Sequence, residues 1–153
     1  MEGRVHDGRD LSPNRGNSME FAGINYLAVF IAALAGFAVG MGWYMSLGNI
    51  WIAALGKTKD EIKPSAGPFI ISGISLLIMA SMLAGIIGHL GRDHVTMVNG
   101  AISGFLVWLG FVITTMTVNH AYQGVKRILT LVDGGHYLAV LIVMGSIIGW
   151  FGV

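Results

Sequence analysis

Seven side chains of this sequence have the types and spacing to do chemistry together: Trp43, Tyr44, Thr115, Asn119, His120, Asp133 and His136. Asp133 and His136 stand three apart and Thr115 and Asn119 four apart, so each pair can share one face of a helix. A carboxylate beside an imidazole can relay a proton or anchor a polar group, and with a second imidazole it can hold zinc or iron. Asp133 has two readings. It lines an enclosed polar pocket with His120 or His136, or it sits near a helix start, where the macrodipole and the neighbouring Lys126 and Arg127 favour a negative charge. A bis-histidine haem would need His120 and His136 at equal depth on facing helices. No compact metal motif accompanies them, so the expectation is no cofactor and no metal. His89 and His94 flank Gly91, Arg92 and Asp93 and read as part of a hydrated loop.

The elements that must position these residues follow from composition. The chain has 153 residues, 54% hydrophobic and only 11% charged, where soluble domains carry about 25% charge. That balance excludes both an ordinary soluble globule and an expanded disordered chain. Uncharged runs cover 21–47, 66–91 and 95–121, and a fourth, 128–153, carries only Asp133. Each exceeds the ~20 residues a helix needs to cross hydrocarbon. Lipid leaves backbone groups no partner outside the segment, and the runs lack the alternation of barrel strands, so helices are required. The expected architecture is an all-α membrane protein, a bundle of four transmembrane helices with short connections, over about 22–47, 68–91, 96–119 and 131–152. Residues 1–18 are a polar tail with no apolar stretch of the kind a signal peptide needs; Met19 is an alternative start, which would make the tail an upstream extension.

Small residues recur four apart on every span: Ala32, Gly36 and Gly40; Ala80, Ala84 and Gly88; Gly100 and Gly104; Gly145 and Gly149. Such ridges let helix backbones approach where lipid supplies no hydrophobic drive for association. Alternating helix direction gathers the end of the first span, the start of the second, the end of the third and the start of the fourth at one face, with the seven candidates and Ser65 and Ser72. Basic residues hardly discriminate the sides, with Arg4, Arg9, Arg15 and Arg92 on one and Lys57, Lys59, Lys63, Lys126 and Arg127 on the other. The second group lies nearer the membrane on average, which favours both termini outside. Trp43, Tyr44, Trp51, Tyr122 and Tyr137 suit an aromatic belt at the same interface.

Other classes lose support. A net charge of +1 without a basic stripe gives no surface for nucleic acid, and the absence of cysteine removes disulfide and thiolate chemistry. Soluble-enzyme signatures such as a nucleophile elbow, a phosphate loop or a zincin helix are missing, so no reaction is assigned.

The segments NYLAVFIAAL (25–34), GWYMSLGNIW (42–51), GFLVWLGFVITTMTVNHAYQG (104–124) and LVDGGHYLAVLIVMGSIIGW (131–150) resemble DUF1761, a family of small four-helix membrane proteins of unknown function. The resemblance runs from about Met19 to the end. The tail and the Gly134-Gly135-His136 triplet depart from the family pattern, the latter weakening a metal role for His136. The resemblance implies topology and brings no reaction. The expected function is a polar end pocket that binds a small ligand or a lipid headgroup. Two alternatives are an accessory subunit of a larger membrane assembly and a membrane enzyme using an Asp/His pair. The expected partners are membrane lipids, with other membrane subunits or a second copy of the chain as further options.

Overall fold

The computed structural model describes residues 24–63 and 65–153. Helix α1 (Tyr26–Ala54) opens at Asn25, whose side chain accepts the Ala28 N–H at 3.1 Å, satisfying one of the orphan donors of the first turn. Helix α2 (Ala66–Gly88) carries Pro68 in its first turn, where a missing N–H costs nothing. Thr96 caps α3 (Met97–Val107) by accepting the Asn99 N–H, and the Asn99 amide donates back to the His94 carbonyl, tying the loop to the helix. A π turn (Trp108–Val112) joins α3 to α4 (Ile113–Gln123), making one rod that ends at Gly124 in the left-handed conformation. Helix α5 (Arg127–Phe151) closes the chain.

Four rods of 29, 23, 27 and 25 residues are long and apolar enough to cross a membrane. Even the shortest spans ~34 Å at 1.5 Å per residue, against a hydrocarbon core of about 30 Å. The fold is an all-α bundle of four transmembrane helices. Two helices run past the expected bounds: α1 reaches Ala54 rather than Leu47, because the uncharged run itself continues to Gly56, and α5 begins at Arg127 rather than near 131. There the Lys126 ammonium donates to the Ala53 carbonyl at 3.0 Å, a cation on the open end of α1. The expected polar tail, residues 1–18, lies outside the described residues.

Helix α5 is the axis of the bundle. It packs on α1 along one side and on α3 along the other, while α2 covers α1 and α5. The close-packed core lies toward one end, where Val29, Ala32 and Ala33 of α1 meet Leu83 and Ile87 of α2 and Met144 and Ile148 of α5. Between α3 and α5 the contact is backbone on backbone. A Cβ at Gly100 would run into the Gly145 carbonyl, one at Gly104 into the Leu141 carbonyl, and one at Gly149 into the Thr96 carbonyl. On α1, Gly36 makes room for Met144, whose terminal carbon would stand 2.6 Å from an added Cβ.

Candidate functional site

The antiparallel seam of α1 and α5 brings four of the seven candidates together. The Tyr44 hydroxyl donates to Asp133 Oδ1 at 2.9 Å, and the Trp43 indole N–H donates to the Val132 carbonyl at 3.1 Å. The His136 ring lies against both Tyr44 and Tyr137, with centroids 5.0 and 4.8 Å apart. Gly40 admits that imidazole, since an added Cβ would come within 3.0 Å of Nε2. His136 is buried, and its Nδ1 has no hydrogen-bond partner among the described residues.

A second indole reaches the same turn of α5 from the opposite side. Trp108, the first residue of the π turn, donates its N–H to the Gly134 carbonyl at 2.8 Å. A carbonyl has two lone pairs, so Val132 and Gly134 can accept an indole as well as their helical N–H. The Gly134-Gly135 pair makes this possible. A Cβ on Gly134 would stand 2.6 Å from Ile113 Cδ1, and one on Gly135 2.9 Å from Trp43 Cζ2. The Gly134-Gly135 pair is thus the seat of two tryptophan-bearing helices.

Beside this seam a cavity of about 580 Å³ opens between α1, α2 and α5. Its wall includes Phe37, Gly48, Trp51, Phe69, Leu76 and Met79 with Tyr44, Ser72, Ser75, His136 and Tyr137. It exists because α2 packs only by its second half. None of the first ten residues of α2 is buried, and its buried positions run from Leu76 to Ile87.

The other three candidates lie elsewhere. Thr115 and Asn119 are exposed on α4, where with Phe111, Met116, His120 and Gln123 they border a separate shallow depression of about 400 Å³. His120 Nδ1 is 2.9 Å from the Thr130 hydroxyl of α5. The expected single cluster is therefore split, because the π turn and helix phase aim the Thr115–Asn119 face away from α1. Among the described residues neither His120 nor His136 is hydrogen-bonded to Asp133, whose bond is to Tyr44. Among the described residues no three His, Cys, Asp or Glu side chains converge as a metal set would require. Asp133 is the seventh residue of α5, beyond the first turn where a helix dipole acts, so the helix-start reading does not apply.

Counting from the middle residue of each helix at 1.5 Å per residue, Tyr44 is ~6 Å, His136 ~4–5 Å and Ser75 ~3 Å along its helix axis. Sequence reasoning missed Trp108 and Ser75. Trp108 had a signal: an indole near the middle of a span rather than in an interfacial belt needs an acceptor inside the protein.

The model of the family described as "Protein of unknown function (DUF1761)" matches residues 27–149. No curated protein and no solved structure matches the chain. With most of the chain, including nearly all of each of the four helices, inside the matched region, this four-helix protein belongs to the DUF1761 family.

Proposed function

We propose that this chain is a multi-pass integral membrane protein whose α1–α2–α5 cavity binds a small ligand or lipid taken laterally from the bilayer. The observation that carries this reading is the cavity itself. Its ~580 Å³ falls in the range of small-molecule sites, and its apolar wall with a few convergent polar groups has the composition of such sites. Lateral access is supported by α2, whose Phe69, Ile70 and Ile71 are exposed beside the opening. The test is to fill the cavity. A Cβ at Gly48 meets nothing within 4 Å, so Gly48→Leu occupies the space without disturbing packing. Native mass spectrometry from mild detergent should show a co-purifying small molecule on the parent protein and its loss from Gly48→Leu at equal yield. Equal retention by both proteins would refute the reading.

A second reading, an accessory subunit of a larger assembly or of a homo-oligomer, is favoured by the α3–α4 rod. Only 11% of its apolar window is buried within the chain, and Thr115 and Asn119 face outward. Polar side chains facing lipid are stabilised by a neighbouring helix that hydrogen-bonds them. Photocrosslinking from position 119 should then yield a protein adduct; lipid adducts alone would dismiss this alternative.

A further inference from the structure

We infer that the cavity's ligand is an uncharged amphiphile with an oxygen-bearing head that hydrogen-bonds to the serines of α2. This rests on the cavity being a binding site and adds the chemistry of what it takes.

Charge comes first. Among the described residues no Asp, Glu, Lys or Arg lines the cavity, and Asp133 accepts the hydroxyl of Tyr44 on its wall. A phosphate, carboxylate or ammonium head would enter a low-dielectric space with no counter-charge, which is strongly unfavourable. The polar side chains that line it are hydroxyls, an indole and an imidazole.

Two of those groups also lack partners. Elsewhere in the spans, Ser46, Ser81, Ser103, Thr114, Thr117 and Ser146 each donate to the carbonyl four residues back. Ser72 and Ser75, both on the cavity wall, make no such bond among the described residues. An unmade hydrogen bond facing an apolar cavity favours an occupant able to make it.

The cavity follows α1 from Gly36 to Ile52, ~24 Å at 1.5 Å per residue, long enough to lodge the hydrocarbon chain of an amphiphile. Its apolar wall of Phe37, Leu76 and Met79 lies to one side of Ser75, and Trp51 and Ile52 lie to the other. Long-chain alcohols and alkylated quinones share this chemistry.

The full-length protein in lipid nanodiscs tests it with four probes on one tetradecyl chain: the alcohol, a benzoquinone, the carboxylate at a pH that keeps it ionised, and the trimethylammonium. The first, third and fourth are brominated on the chain, so that binding quenches Trp51; the quinone quenches by itself. Saturable quenching by the alcohol or the quinone is expected at concentrations at least tenfold lower than for either ion, and Trp51→Phe should remove it. The double variant Ser72→Ala/Ser75→Ala should weaken the neutral probe about fivefold while leaving the unfolding temperature unchanged. Which neutral head binds tighter identifies the source. An ion binding as tightly as the neutral probes, or no effect of the serine pair, overturns the inference and leaves the cavity reading standing. Saturation by none of the four overturns both.

Discussion

The two ends of this bundle are built by opposite rules. At one end α3 and α5 meet through glycines, backbone against backbone, and large side chains such as Leu83, Ile87 and Ile148 are fully buried. At the other end the helices are held by a few polar bonds, Tyr44 to Asp133, Trp43 to Val132 and Trp108 to Gly134, and α2 leaves a cavity beside them. In lipid, association depends on van der Waals contact and on interhelical hydrogen bonds. The first end uses contact to fix the bundle. The second uses directed bonds, which tolerate open space, and so can host a ligand.

The same chemical change should have opposite signs at the two ends, which is the largest effect expected. Gly100→Ala forces a Cβ into the Gly145 carbonyl and should destabilise by about 1–3 kcal/mol or more. Gly73→Ala meets nothing within 4 Å and should stabilise by about 0.5–1 kcal/mol through lower backbone entropy in the unfolded chain. Thermal unfolding in detergent separates the two; a similar shift at both positions would erase the contrast.

Next in size is the polar staple. Tyr44→Phe leaves the Asp133 carboxylate without its hydroxyl and should cost about 1–2 kcal/mol. In a double-mutant cycle with Asp133→Leu the pair should cost less than the sum of the singles, because the second change removes the orphaned group. Additive costs would show that the bond holds nothing together.

The smallest effect lies outside the membrane. Glu61 accepts the Thr58 backbone N–H at 2.7 Å and its hydroxyl at 2.9 Å, and these bonds, the backbone one first, with Lys57 nearby hold its carboxyl below the usual range. A depressed folded-state value means the contribution is present above the ordinary glutamate pKa and is lost as pH falls through the depressed one. The protection factor of the Thr58 amide, its exchange rate relative to the intrinsic rate at the same pH, should fall on acidification across that window, and Glu61→Gln should abolish that change. A pH-independent protection factor in the parent protein would dissociate the turn from the carboxylate.

Much was legible before any coordinates. Charge-free stretches longer than a bilayer dictate helices, since lipid forbids unpaired backbone, and that argument needs no tertiary information. Glycines four apart on facing spans state that backbones can touch, though not which pairs do. The site was legible in part. Tyr44, Trp43, Asp133 and His136 share the α1–α5 seam, whereas Thr115, Asn119 and His120 were grouped with them only because topology puts them toward the same membrane face.

Composition and the charge-free runs thus determined the number of helices and that their directions alternate. Tertiary structure alone decided which helix became the axis, how the π turn re-aimed Trp108 at Gly134, and how far α2 stands from Tyr44 and His136. The physical reason is range. Hydropathy acts residue by residue along the chain, while a cavity depends on rotation and tilt between helices, set by contacts among residues far apart in sequence.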